Sequence, residues 1–244
     1  MNKKTIFVTG ASKGIGRAIA LTFAKHGYHV FLNCSCSIKE LEAVKSEIEA
    51  MPNGSCDLFI GDIGNSEFVS ETFAAIYQKC DALDVLVNNA GIAHIGLLTD
   101  MTDEEWHRIL QTNLSSVFYC CREAVPNMVS KKAGKIINIS SMWGTVGASC
   151  EAAYSATKSG VHGLTRALAK ELAPSNIQVN AIACGCIDTS MNHQLSAEEK
   201  FSLEEEIPAG RFGSPQEVAD FVMQLAGSPS YLTGQVIGLD GGFI

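Results

Sequence analysis

No stretch of this 244-residue chain approaches the roughly 20 consecutive apolar residues that span a membrane. Its lysine-bearing start resembles the front of a secretory leader. The apolar run Ile6-Phe7-Val8 is too short for one, however, and a glycine loop interrupts it. Positive charge is scarce: 18 Lys and Arg face 26 Asp and Glu, for a formal net charge of -8. That leaves no basic stripe of the kind nucleic acids require. Lys131, Lys132 and Lys135 form the single tight basic cluster and read as a solvated helix end and turn. Paired C-x-x-C spacings are missing from the nine cysteines, so no metal site is expected. Their odd number argues against a disulfide framework and for reduced thiols in a cytoplasmic protein. No linker, internal repeat or low-complexity tract divides the chain, so residues 1–244 are read as one domain.

What is present is apolar material at 46%, and 22 glycines. Short apolar runs alternate with amphipathic stretches. Strands are expected at 5–9, 28–33, 56–60, 85–88, 135–140, 178–183 and 235–239. Helices are expected at 15–26, 39–50, 66–79, 152–172 and 215–226, with one long helix over 102–129 that bends at Pro126. Continuous apolar strands, each followed by a helix, imply an α/β fold. The form expected is a Rossmann-type, doubly wound parallel sheet of about seven strands, helices on both faces, with a ligand crevice beyond the strands' carboxyl ends. The polar segment 188–209 reads either as a lid over the substrate or as a solvated surface helix.

The first strand runs into Gly10-Ala11-Ser12-Lys13-Gly14-Ile15-Gly16, and a helix follows. Glycines let a pyrophosphate approach the backbone, and the helix start offers free N–H groups and a positive dipole end. An acid at the end of the second strand would accept ribose hydroxyls and repel a 2′-phosphate. Here that position is Asn33, followed by Ser35, and no acid appears before Glu40. With Lys13 able to reach an adenosine phosphate, the pattern favours NADP(H) over NAD(H). Asp62 and Ile63 suit either an adenine edge or a turn. Asn89, Ala90 and Gly91 suit a chain passing beneath a cofactor or an ordinary turn.

Tyr154 and Lys158 lie four apart on an expected helix and so share a face. Ketone reduction needs a proton for the developing alkoxide. A phenol can supply it when a nearby ammonium lowers its pKa. Ser141, at the end of the fifth strand, can hold the carbonyl oxygen. Asn113 stands mid-helix, where asparagine is a poor former, and marks a distortion or a water site.

These motifs together resemble the short-chain dehydrogenase/reductase family over essentially the whole length. They are TGASKGIG (9–16), DI (62–63), NNAG (88–91), Asn113, ISS (139–141), YSATK (154–158) and YLTGQVIGLDGG (231–242). The resemblance implies a Ser141–Tyr154–Lys158 triad, with Asn113 holding a water that relays protons through Lys158. It also implies that Lys158 binds the nicotinamide ribose, that Gly185, Ile187 and Thr189 hold the carboxamide and phosphate, and that the chain forms a homodimer or homotetramer. Cys184 stands where the family has proline. Within the family the chain is similar to bacterial 3-oxoacyl-acyl-carrier-protein reductases. The stretches 140–158 and 162–181 are similar to the branch that reduces the 5-aminopentanone group on lysine of elongation factor P. On that reading Glu151 pairs with a substrate ammonium and Trp143 packs on its chain. The plainer alternative leaves Glu151 charging a helix start and Trp143 in a core or interface. A net charge of -8 disfavours an acidic acyl carrier protein as partner. A small ketone or alcohol, as in steroid or sugar dehydrogenases, and a dinucleotide sensor without turnover remain alternatives.

Overall fold

The computed structural model describes residues 3–190 and 196–244. Seven strands, β1 (Thr5–Val8), β2 (His29–Cys34), β3 (Ser55–Ile60), β4 (Val85–Asn88), β5 (Gly134–Ser141), β6 (Ile177–Cys184) and β7 (Val236–Leu239), form one sheet. Its order is β3-β2-β1-β4-β5-β6-β7, and every pairing is parallel. The order reverses direction beside β1, which opens the ligand crevice of such sheets between β1 and β4.

Alternation along β1 shows why these strands read as unbroken apolar runs. Ile6 and Val8 point into a core closed by α1 (Gly14–Lys25), α2 (Ile38–Glu49) and α9 (Pro215–Ala226). Phe7, between them, points into the opposite core, under α3 (Ser66–Tyr77), α5 (Ser116–Lys131) and α7 (Ala152–Leu172). There it meets Phe73 edge-on at 5.5 Å. A strand buried on both faces has no polar side to show.

The long helix expected over 102–129 is divided. An α-helix α4 (Asp103–Leu110) passes through a π turn at Gln111–Ser115 into α5, and Pro126 lies within α5 without ending it. The break centres on Asn113, whose buried amide leaves the helix to bind another segment. Its Oδ1 accepts from the Ile92 N–H at 2.8 Å, and its Nδ2 donates to the Ile92 carbonyl at 2.8 Å. π turns of this kind are found mostly at functional sites. A short helix α6 (Trp143–Val146), not expected from the sequence, follows β5 directly. Within the polar segment 188–209, residues 191–195 lie outside the described residues. The remainder contains α8 (Ala197–Glu206), started by a Ser196–Glu199 capping box. No described helix is long and apolar enough to cross a membrane.

Candidate active site

A cavity of about 580 Å³ opens at the carboxyl ends of the strands. Its wall contains every residue singled out in the sequence except Gly16 and Asn113. A larger hollow, about 780 Å³, lies at the opposite ends of the strands. Its Lys79 and Lys131 already pair with Asp57 and Asp84. No glycine is among its lining residues.

One end of that cavity has the form of a dinucleotide cradle. Gly10 holds a φ of +64°, which only glycine adopts cheaply, and a side chain there would come within 3.0 Å of the Ala90 backbone. Gly16 lies behind the wall. A Cβ on it would fall 2.2 Å from the Gly10 carbonyl oxygen, so it serves close packing of loop and helix rather than ligand contact. The start of α1 carries no side-chain cap, which leaves its N–H groups aimed at the cavity. Asn89 knits the floor, its Nδ2 donating to the Thr9 and Gly10 carbonyls at 2.9 and 3.1 Å. Thr9 Oγ1, which the sequence reading passed over, accepts from the Asn89 and Ala90 N–H groups, both at 2.9 Å.

Asn33 departs from expectation. Its Nδ2 donates to the Phe59 and Gly61 carbonyls, both at 3.1 Å, and its Oδ1 accepts from Gly10 at 3.4 Å. The Nδ2 protons are therefore committed to shaping the pocket, while Oδ1 keeps acceptor capacity in the cavity wall. Asp62 takes the turn alternative with one oxygen, Oδ1, which accepts from the Gly64 N–H at 2.8 Å. Beyond β2, Ser35 is exposed and Lys13 has no ion pair among the described residues. Arg17, the next cation, is held by both oxygens of Glu47.

At the other end the structure brings Ser141, Tyr154 and Lys158 together. Lys158 is 5% exposed, and its Nζ donates to the Ile139 carbonyl at 3.0 Å. It lies 5.5 Å from the centre of the Tyr154 ring. Burial, with no carboxylate to offset it, lowers the Lys158 ammonium to about 8. Burial also pushes the Tyr154 phenol well above its ordinary value; a hydrogen bond with Ser141 works against that, and nearby Glu151 adds to it. Ser141 Oγ accepts from the Trp143 N–H at 3.2 Å, which aims its lone proton toward the cavity. Asn113 stands behind, also donating to Thr157 Oγ1 at 3.3 Å. A Cβ on Gly91 would be 3.4 Å from Asn113 Oδ1 and 3.6 Å from Lys158 Nζ, ordinary contact distances that place Gly91 beside both groups.

The turn without the family proline is held in another way. Cys184 stays within β6 as a buried thiol, raised to about 12 by burial. The next N–H, that of Gly185, donates to Leu239 at 2.9 Å. Cys186 is half-buried near Glu151 and Glu206, and burial raises its thiol too. Both therefore stay protonated and inert.

Glu151 is the anomaly of the cavity. The carboxylate is half-buried with no hydrogen bond or ion pair among the described residues, and desolvation pushes its pKa up. Trp143 stands nearby in the same wall, its ring edge-on to Phe243 at 5.7 Å. Neither Phe243 nor exposed Ile95, at the rim, carries a sequence signal that would have marked it.

The short chain dehydrogenase family model matches residues 4–200. The 3-oxoacyl-acyl-carrier-protein reductase FabG of Thermotoga maritima is 40% identical over 242 residues, covering 99% of this chain and 98% of its own. That of Staphylococcus aureus strain Mu50 is 42% identical over 240 residues, covering 98% and 97%. The crystal structure of YwfH, an NADPH dependent reductase involved in bacilysin biosynthesis, superposes with a TM-score of 0.93 at 28% identity. It covers 100% of this chain and 99% of that one.

Proposed function

Because the chain belongs to the short-chain dehydrogenase family and is thus an oxidoreductase of alcohol and carbonyl groups, we propose that it reduces a protein-tethered ketone with NADPH. The substrate we propose is the 5-aminopentanone group on lysine of elongation factor P. The observation that carries this reading is Glu151, a half-buried carboxylate left without a partner in the wall of the cavity. A carboxylate is desolvated there at a penalty unless a cation joins it. A primary ammonium on the substrate supplies that cation, and Trp143 covers its aliphatic chain.

The residues present fit the cofactor. The α1 start and its glycines would hold the pyrophosphate, Lys13 and Ser35 the 2′-phosphate, Lys158 the nicotinamide ribose, and Ile187 and Thr189 the carboxamide end. When bound, the reduced dinucleotide supplies a hydride for the carbonyl carbon. Ser141 holds the carbonyl oxygen, and Tyr154 passes its proton to that oxygen. Lys158 stabilises the phenolate left behind, and a water held by Asn113 would relay protons back through Lys158. The apolar face of α5, with Phe118 47% exposed, is the surface we assign to pairing in a two-fold symmetric assembly.

A second reading, reduction of 3-oxoacyl groups on acyl carrier protein, is favoured by the activity named for the two FabG relatives. A side-by-side NADPH-oxidation assay with aminopentanone-bearing elongation factor P and with acetoacetyl carrier protein separates the two. Glu151→Gln is expected to raise KM about tenfold for a short amino-ketone, equivalent to about 1.4 kcal/mol, and to leave its neutral counterpart unchanged. An equal change in KM for both ketones, or none for either, would remove the ammonium pairing.

The cofactor assignment is tested separately. Lys13→Ala is expected to weaken NADPH ten- to a hundredfold, the usual range for one charge-assisted hydrogen bond of about 1.5–3 kcal/mol. NADH should weaken less than about threefold, and Ser35→Ala should show the same asymmetry more weakly. Titration of both nucleotides by fluorescence measures this, and parallel losses would contradict the 2′-phosphate site.

A further inference from the structure

His162 is buried to 3% exposure on α7, one turn beyond Lys158, and the mechanism above makes no use of it. Its Nε2 lies 2.9 Å from Ser140 Oγ, inside the protein. The ring also faces the Gly144 carbonyl, whose pull on a ring proton works against the lowering of its pKa; that carbonyl accepts from Ser159 Oγ at 2.7 Å. A Cβ on Gly144 would fall 2.8 Å from His162 Cε1 and 2.9 Å from Lys158 Cβ. Glycine thus lets α6 lie directly on the turn of α7 that carries the lysine.

The two neighbours of the ring assign its tautomer. A neutral imidazole has one N–H, and a carbonyl only accepts, so that N–H goes to Gly144. Nε2 is then an acceptor, and the Ser140 hydroxyl donates to it. Ser140 has one alternative, the Lys158 carbonyl at 3.4 Å, which is the longer contact. The chain Gly144–His162–Ser140 therefore clamps both ends of residues 140–144 onto α7. Ser141 lies inside that clamp, its Oγ accepting from Trp143 at 3.2 Å.

We propose that His162 is a positioning residue for the catalytic serine, acting as a neutral acceptor that fixes Ser140 and so the Ser141 hydroxyl against Tyr154. The proposal rests on the reading of Ser141 and Tyr154 as the reacting pair. The charged groups that bear on the ring are the cations Lys158 and Arg166, both on α7; β5 and α6 present only Ser140 and the Gly144 carbonyl. Burial first, then these cations, holds the imidazole below its ordinary range, so it is neutral where the enzyme works. Once protonated, Nε2 becomes a donor, Ser140 must turn its hydroxyl toward the Lys158 carbonyl, and the clamp slackens. Activity therefore falls on the acid side as His162 takes up its proton.

Three variants of the full-length protein test this, with kcat and KM for a neutral ketone followed across pH. His162→Leu is expected to lower kcat about tenfold, with KM and NADPH affinity within about twofold. Ser140→Ala is expected to do the same, and the double variant is expected to be no worse than either single one, because both remove one interaction. His162→Gln places a non-titrating acceptor near Nε2. It is expected to keep most of kcat near neutral pH and to lose the acid limb assigned to His162. Multiplying losses in the double variant, or an acid limb unchanged in both His162→Gln and Ser140→Ala, would overturn the proposal. If His162→Leu fails to fold, Ser140→Ala and His162→Gln decide the matter alone. Loss of turnover in Tyr154→Phe, with silent His162 variants, would defeat this inference and leave the catalytic reading standing.

Discussion

Replacing Tyr154 with phenylalanine is expected to lower kcat for ketone reduction by about 10³-fold, within the usual range for loss of a general acid. The affinity for NADPH should change less than about threefold, since a single hydroxyl leaves and the ring stays. Tyr154 borders the cavity beside Ser141 and Lys158, and burial holds its phenol in the protonated form. Burial by itself makes the phenol a weaker acid, so in the proposed mechanism the Lys158 ammonium has to offset it as charge develops on the substrate oxygen. Without the hydroxyl, Ser141 can still polarise the carbonyl but has no proton source aligned with it. Single-turnover reduction, with NADPH binding measured on the same preparation, separates chemistry from affinity. Turnover within tenfold of the parent enzyme would remove the proposed mechanism, whatever became of the cofactor site.

The second large effect combines a loss with a gain. Lys158→Met should lower kcat by about 10² or more and at the same time raise the melting temperature. Lys158 is 5% exposed and its ammonium is lowered from 10.5 to about 8. The folded state therefore holds this proton less tightly than the unfolded chain does. The resulting destabilisation is complete below about 8 and disappears as pH rises through 10.5. That shift corresponds to on the order of 3 kcal/mol below the window. Methionine fills similar space without a charge to desolvate, so the variant should gain part of that energy near neutral pH. Catalysis needs the cation in the parent protein, because it stabilises the phenolate left by proton transfer. kcat for reduction should accordingly fall as pH rises through about 8 in the parent protein, and this limb should be missing in the variant. A melting temperature that drops at neutral pH would show that the bond to the Ile139 carbonyl outweighs the desolvation of the charge. Buried ionic groups of this kind are kept for function at the expense of stability.

The distance between these two predictions and the sequence is short, because Tyr154 and Lys158 share a helix face at a spacing set by helix geometry. The sheet was legible for a similar reason. The period of burial in β1 is local, and apolar residues on both faces leave one arrangement, a parallel sheet covered by helices. The glycine loop was legible because a φ such as that of Gly10, beside a backbone as close as that of Ala90, favours glycine. The π turn was half legible. Asn113 is out of place in a helix, yet its partner Ile92 lies 21 residues away, and nothing nearby names it.

The sequence alone thus determined the parallel sheet, the helix-start cradle and the Tyr154–Lys158 pair. Each follows from residues within one or two turns of one another, where backbone geometry fixes who meets whom. Tertiary structure alone decided that the Asn33 amide is tied to Phe59 and Gly61 and that His162 reaches Ser140 across 22 residues. It likewise decided that Glu151 stands half-buried without a partner. A side chain's hydrogen-bond capacity is visible in its letter. Whether that capacity is filled depends on which distant segment folding brings alongside, and this is a property of the packed whole.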